Sequence, residues 1–174
     1  YVRPITYTRV LDSSGKTILE NTPEVKRVMM ETTAFLMTDM LRTAVERGTG
    51  SGARLTRSGM VAAGKTGTTS DLKDKWFVGY TPYYVAATWF GYDIPREMRD
   101  PNSRSDIPNY AAYIWQYVMD RIHSKLEPKS FEEPRGIVRK VICPDSGLLP
   151  NEYCPQDPRQ DHRPREEVFI KGTE

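Results

Sequence analysis

The residues of this chain best suited to chemistry lie in one short segment, GKTGT, residues 64–68. Lys65 offers a fixed positive charge, and Thr66 and Thr68 offer hydroxyl donors, a set suited to holding an anionic group. Together with Gly59, the segment also fits the phosphate-binding pattern G-x-x-x-x-G-K-[ST]. The pattern therefore leaves two alternatives, a nucleotide-binding loop or a strand that binds another kind of anion.

A phosphate loop requires a buried strand before its first glycine and a helix that begins at the Lys-Thr pair. Residues 53–58, ARLTRS, are too polar for a buried parallel strand. Residues 60–63 are apolar and lack turn formers, whereas residues 66–70, TGTTS, favour a strand over a helix. The segment is therefore predicted to be a strand, and we expect no nucleotide binding.

The segments around this strand predict how it is positioned. Residues 76–81 and 83–91 are rich in aromatic and β-branched residues and turn at Pro82, which predicts two more strands. The three strands would form an antiparallel meander. The preceding residues 48–52, GTGSG, are typical of a flexible connector.

The N-terminal part predicts a hairpin and a helix. Residues 5–11 alternate and are rich in β-formers, an Asp-Ser-Ser-Gly turn follows, and residues 16–20 return the chain as a hairpin. Thr22 and Pro23 are typical of a helix N-cap and first turn, and Gly48 is placed where a C-terminal cap belongs. A stripe of methionines on this helix is predicted to lie in the core. Its members are Met29, Met30, Met37 and Met40.

A second amphipathic helix is predicted over residues 108–126. Its predicted core face consists of Ala111, Ile114, Trp115, Val118, Ile122 and Leu126. Helices packed across an antiparallel sheet define an α+β fold. Residues 127–174 carry seven of the 13 prolines and are predicted to form a separate Pro-rich tail of loops and short strands, one at 136–142. We therefore divide the chain into domains 1–126 and 127–174.

Composition narrows the classes of function. The 25 Lys and Arg residues against 23 Asp and Glu residues give a net charge of +2, too weak a field to indicate nucleic-acid binding. The longest apolar run, residues 83–92, has the length of a strand and is too short to cross a membrane. The chain begins at Tyr1 with no initiating Met, so we expect it to be an internal or processed piece of a longer protein.

The segment GKTGTT, residues 64–69, followed by DKWFVGYTP, residues 74–82, strongly resembles the penicillin-binding proteins of the class A, bifunctional type. The resemblance covers residues 6–126 and extends weakly into residues 143–148. It implies the C-terminal portion of a serine transpeptidase or β-lactamase-like fold. The tail would lie outside that core.

The resemblance implies a role for each residue of the motif. A peptide or β-lactam that ends in a carboxylate would lie along the strand edge, where Gly67 allows close approach. The hydroxyls of Thr66 and Thr68 would donate to the carboxylate, beside the charge of Lys65. The backbone N–H of Thr68 would form half of an oxyanion hole.

The nucleophile that the resemblance requires is a Ser-x-x-Lys serine at a helix N-terminus. The two formal matches, Ser13 to Lys16 and Ser70 to Lys73, lie in a predicted turn and a predicted loop, so both are expected to be chance matches. The second signature, Ser-x-Asn, does not occur in the sequence. We therefore expect the catalytic serine to lie upstream of this chain, and the isolated chain to be inactive.

Histidine and cysteine add no catalytic or metal site, and no cofactor is expected. His123 and His162 are the only histidines, and both are predicted to be solvated. Cys143 and Cys154 cannot complete a zinc site, even with His162. Because the resemblance implies an extracellular setting, a disulfide between them and a pair of free thiols remain alternatives.

The resemblance implies a D,D-transpeptidase that cross-links peptidoglycan stem peptides through an acyl-serine and is acylated by β-lactams. It further implies an upstream glycosyltransferase domain and membrane anchor, and a location on the extracytoplasmic face of a bacterial membrane. The implied partners are stem peptides, β-lactams and the upstream part of the same domain. Two other classes remain, a serine β-lactamase or carboxypeptidase, and a non-catalytic domain that binds or scaffolds cell-wall ligands.

Overall fold

The computed structural model describes residues 1–154 and 162–173 and divides the chain into two compact units, residues 1–31 and 32–174. The predicted α+β class is confirmed, since helices occur beside sheets whose strands pair antiparallel. The elements are β1 (Arg9–Leu11), β2 (Thr17–Glu20), α1 (Glu31–Arg47), β3 (Ala63–Thr68), β4 (Asp74–Tyr80), β5 (Val85–Gly91), α2 (Tyr110–His123), β6 (Ile137–Ile142) and β7 (Arg165–Ile170).

The first unit contains the predicted hairpin, in which β1 and β2 pair antiparallel. The predicted start of the first helix at Thr22 is wrong, because α1 begins only at Glu31. Before that point the backbone is extended: Val25 bridges to Val2, and the N–H of Lys26 donates to the carbonyl of Tyr1 at 2.8 Å. Backbone donors committed to this pairing are not free to form a helical turn.

The prediction that the methionine stripe lies in the core is also wrong. The four side chains are about half exposed: Met29 52%, Met30 62%, Met37 46% and Met40 58%. The face of α1 that packs within the second unit carries Thr38 and Val45, which are seven residues apart and so lie on one side of the helix. Val45 is buried, and the hydroxyl of Thr38 shares a 2.9 Å hydrogen bond with the phenol of Tyr80.

The predicted meander is confirmed: β3, β4 and β5 follow one another in the sheet, each antiparallel to the next. Helix α2 covers one face. There Phe77 of β4 is fully buried and meets the ring of Trp115 edge-on, with 5.1 Å between centroids. Trp115 also donates its indole N–H to the carbonyl of Ala86 at 3.0 Å, which fixes α2 to β5. The strand that carries the motif, β3, is thus an edge strand of a sheet that packs against α2 on one face.

Helix α2 is shorter than predicted and presents a different face to the core. Ala111 and Trp115 are buried as predicted, and Leu126 packs partly buried against the core. The other three predicted core residues are exposed, namely Ile114 (43%), Val118 (45%) and Ile122 (47%). Their places are taken by Met119, Asp120 and His123.

Two buried polar groups explain why the buried face of α2 differs from the predicted one. Asp120 accepts hydrogen bonds from the amide and hydroxyl of Ser58 at 3.1 and 2.9 Å. The ring of His123 lies between the hydroxyl of Thr81 at 2.8 Å and the carbonyl of Met119 at 2.7 Å. The prediction that His123 is solvated is wrong, because its polar atoms have protein partners that compensate for burial.

In the C-terminal part, the predicted strand at 136–142 is confirmed as β6. Its partner β7 was not predicted, because its first residues are charged, yet Arg139 of β6 bonds to Glu166 of β7 at 3.2 Å across the pair. Cys143 and Cys154 are free thiols in the structure. None of the helices within residues 1–154 and 162–173 is long and apolar enough to cross a membrane.

His162 was also predicted to be solvated, but its side chain is only partly exposed. His162 is half-buried and its Nδ1 atom lies against a carboxylate oxygen of Asp145. The domain boundary at residue 126 stays a prediction.

Candidate functional site

The candidate site is the outer edge of β3. Among the described residues β3 pairs only with β4, with Lys65 opposite Val78 and Gly67 opposite Trp76. A strand with one partner leaves the N–H and C=O groups of alternate residues unpaired along its other side. This side can pair with an extended ligand.

The hydrogen bond that closes the β3–β4 turn shows which residues face this free edge. The amide of Thr69 donates to the carbonyl of Asp74 at 3.2 Å, so Thr69 directs its backbone groups toward β4. Backbone groups alternate in direction along a strand, so Gly67 also faces β4, whereas Thr66 and Thr68 face away from it. The amides of Thr66 and Thr68 therefore point to the free edge.

The side chains of Lys65 and Thr66 are connected at this edge. The Lys65 ammonium donates to the hydroxyl of Thr66 at 2.9 Å and to its carbonyl at 3.1 Å. Lys65 itself is exposed. The ammonium is thus held beside the outward-facing backbone of Thr66, where an anionic ligand can reach it.

The phosphate-loop alternative does not fit this geometry. Lys65 and Thr66 lie in the middle of a strand, whereas a phosphate loop places them at the start of a helix. The residues between Gly59 and Ala63 lead into β3, and Met60 among them is buried in the core. The predicted strand is confirmed.

Both Ser-x-x-Lys matches lie outside helices. Ser13 is in the β1–β2 turn, and Ser70 is in the β3–β4 turn. Lys73 pairs with the carboxylate of Asp71 at 2.5 Å, and this hydrogen bond raises the pKa of Lys73 and contributes most to lowering the pKa of Asp71. A lysine held in its charged form cannot take the proton of Ser70, so this pair is not an activated nucleophile.

One residue near the site was missed in the sequence. Thr49 accepts a hydrogen bond from the hydroxyl of Thr66 at 3.1 Å. It lies in the connector after α1, which the sequence predicted to be flexible. The structure shows instead an ordered turn, because the amides of Gly48 and Gly50 both donate to the carbonyl of Ala44, at 3.1 and 2.9 Å. A threonine between two glycines directly after a helix was the available signal.

Comparison with known proteins gives the family. Residues 1–105 match the family described as penicillin binding protein transpeptidase domain, and residues 133–174 match the family described as penicillin-binding protein 1A, C-terminal domain. The chain therefore belongs to the penicillin-binding protein transpeptidase family.

Within this family, the chain is similar to proteins named penicillin-binding protein 1A. The chain is 42% identical to that of Clostridium perfringens, over 96% of this chain and 19% of the relative. It is 35% identical to that of Clostridium tetani, over 98% of this chain and 21% of the relative. The chain thus spans about a fifth of the length of these relatives.

Solved structures show the same fold. Penicillin-binding protein 1A from Haemophilus influenzae superposes with a TM-score of 0.68 at 24% identity, over 99% of this chain and 30% of that one. The penicillin-binding protein PonA1 from Mycobacterium tuberculosis superposes with a TM-score of 0.60 at 26% identity, over 73% of this chain and 35% of that one.

Proposed function

We propose that this chain contributes the Lys-Thr-Gly strand of a serine D,D-transpeptidase that cross-links peptidoglycan and is acylated by β-lactams. The free edge of β3 carries this proposal, since the amides of Thr66 and Thr68 point to it and the Lys65 ammonium is held against the carbonyl of Thr66. An extended peptide that ends in a carboxylate can pair with such an edge and place its charge near the lysine.

Each residue of the motif has a defined task in this reaction. Lys65 and the hydroxyl of Thr68 bind the terminal carboxylate of a stem peptide or the carboxylate of a β-lactam, and the outward amide of Thr66 pairs with the ligand backbone. Gly67 keeps the edge clear, and the amide of Thr68 stabilises the oxyanion of the tetrahedral intermediate. A serine attacks the penultimate D-Ala carbonyl, terminal D-Ala leaves, and an amine of a neighbouring strand takes the acyl group.

The serine, in this proposal, belongs to the upstream part of the same domain, which packs against this chain. An exposed apolar surface supports such a partner. The sheet face opposite α2 exposes Trp76, Val78, Val85 and Trp89. A glycosyltransferase domain and a membrane anchor further upstream would place the protein at the extracytoplasmic face of the membrane.

The proposal is tested by rates of acylation of the full-length protein with a fluorescent penicillin. Lys65→Ala or Thr68→Ala should slow acylation by roughly ten- to a thousandfold, the range for loss of one stabilising group. Lys16→Ala, at a solvent-exposed lysine in the β1–β2 turn, is the matched control and should acylate at the parent rate. Residues 1–174 alone should carry no label.

The outcomes separate the remaining classes. Parent-like acylation of a folded Lys65→Ala variant would remove β3 from the site. A stoichiometric adduct on Ser13 or Ser70 would show that the nucleophile lies within this chain. A full-length protein that never labels would favour the non-catalytic scaffold, and one whose label is rapidly hydrolysed would favour a β-lactamase or carboxypeptidase.

A further inference from the structure

A chain of three side chains leads from the candidate site to the connector after α1. The ammonium of Lys65 donates to the hydroxyl of Thr66 at 2.9 Å, and that hydroxyl donates to the hydroxyl of Thr49 at 3.1 Å. A hydroxyl has one proton and two acceptor lone pairs. Because Thr66 uses its one proton to donate to Thr49, its oxygen lone pairs are left to accept from Lys65.

The backbone around Thr49 is built to hold this hydroxyl in place. The carbonyl of Ala44 accepts from the amides on both sides of Thr49, those of Gly48 and Gly50. A Cβ atom at Gly48 would lie 3.0 Å from the Cα of Ala44, and one at Gly50 would lie 3.3 Å from the ring of Phe77. A side chain at either position would thus make a tighter contact than usual with the residues that the turn packs against.

The position of Phe77 connects the turn to the motif strand. Phe77 is the cross-strand partner of Thr66, and its fully buried ring also packs on Trp115. The turn that contains Thr49 thus packs near the ring of Phe77, which is also the cross-strand neighbour of Thr66. The 3.1 Å hydrogen bond between the two hydroxyls thus joins two elements that pack on one ring, although both hydroxyls lie near the surface.

We propose that Thr49 is a positioning residue: it orients the Thr66 hydroxyl and, through it, holds the Lys65 ammonium at the free edge of β3 for a carboxylate-bearing ligand. This inference rests on the function proposed above. In this role Thr49 would act through Thr66 and not on the ligand itself: it would reduce the number of positions that the lysine side chain occupies before the ligand binds.

The test uses the full-length protein and compares Thr49→Val, which removes the hydroxyl at nearly constant shape, with Thr49→Ser, which retains it. Thr49→Val should slow acylation by a fluorescent penicillin by roughly three- to tenfold, the effect of one lost hydrogen bond. Thr49→Ser should restore most of the rate. Thr56→Val, at an exposed threonine of the same unit, is the matched control and should acylate at the parent rate.

A double-mutant cycle separates positioning from a general structural effect. In a Lys65→Ala background, Thr49→Val should cause no further loss, because the group that it positions is absent. An equal further loss in that background, or a lowered melting temperature together with failure of Thr49→Ser to restore the rate, would overturn the positioning role.

The same set of variants distinguishes the two proposals. If Lys65→Ala slows acylation and Thr49→Val does not, the role of Thr49 is refuted and the function of the strand stands. If Lys65→Ala itself acylates at the parent rate, the proposed function of the strand is refuted, and the role of Thr49 with it.

Discussion

A buried lysine beside the motif strand gives a prediction that the sequence alone did not suggest. Lys75 lies opposite Thr68 in the β3–β4 register, and only 2% of its side chain is exposed. Its ammonium lies 2.5 Å from a carboxylate oxygen of Asp106, whose side chain is 47% exposed. We expect removal of the carboxylate to destabilise the protein far more than removal of the lysine charge.

The magnitude follows from the unequal burial of the two groups. At an effective dielectric constant of about 20, the attraction at this distance is roughly 6 to 7 kcal/mol, and most of it offsets the desolvation of Lys75. Breaking a fully buried pair costs about 3–5 kcal/mol; because water reaches Asp106, we expect about 3 kcal/mol for Asp106→Ala. Lys75→Met replaces the buried charge with an apolar side chain of similar length and leaves Asp106 accessible to water, so it should change stability by less than about 1 kcal/mol.

The assay is urea unfolding of the full-length protein followed by tryptophan fluorescence. Asp71→Ala is the matched control, because Asp71 forms a 2.5 Å pair with Lys73 in which both side chains are exposed. Its removal should cost less than about 1 kcal/mol, as is usual for surface ion pairs. If Lys75→Met destabilised as much as Asp106→Ala, or if Asp106→Ala matched Asp71→Ala, the argument that a buried unpaired charge dominates would fail.

Two further predictions concern the strand itself. A Cβ atom at Gly64 would lie 2.6 Å from the ring of Phe77 and 2.8 Å from the carbonyl of Val78. Gly64→Ala should therefore lower the free energy of unfolding by about 1–3 kcal/mol in denaturant titrations. At Gly67 the nearest contact would be 3.3 Å, so equal destabilisation by Gly67→Ala would contradict this account. ATP or GTP with magnesium should leave the melting temperature unchanged, and a saturable upward shift would restore the phosphate-loop alternative.

The elements that the sequence predicted well are those whose patterns are local. Residues 76–81 and 83–91 carry runs of aromatic and β-branched residues, and these became β4 and β5. The motif strand was predicted because its flanking residues excluded a phosphate loop. The α+β class followed from these strands and from the period of α2, since both depend on residues that are close in sequence.

The features that the sequence could not predict depend on distant partners. Asp120 is buried because Ser58, 62 residues earlier, supplies two donors, and His123 is buried because Thr81, 42 residues earlier, bonds to its ring. No helical period contains this information, so the predicted face of α2 included three exposed aliphatic residues. The late start of α1 has a similar cause, in the pairing of Val25 with Val2.

The direction of the backbone amides explains how one motif can suit either of two ligands. In a phosphate loop successive N–H groups converge on a compact anion. In β3 the amides alternate, so those of Thr66 and Thr68 face the free edge while that of Gly67 pairs with β4. Two residues of a strand span about 6.6–6.8 Å, which is also the repeat of an extended peptide. The alternating amides therefore favour an extended ligand over a compact anion. In the proposed function that ligand ends in a carboxylate, which Lys65 binds.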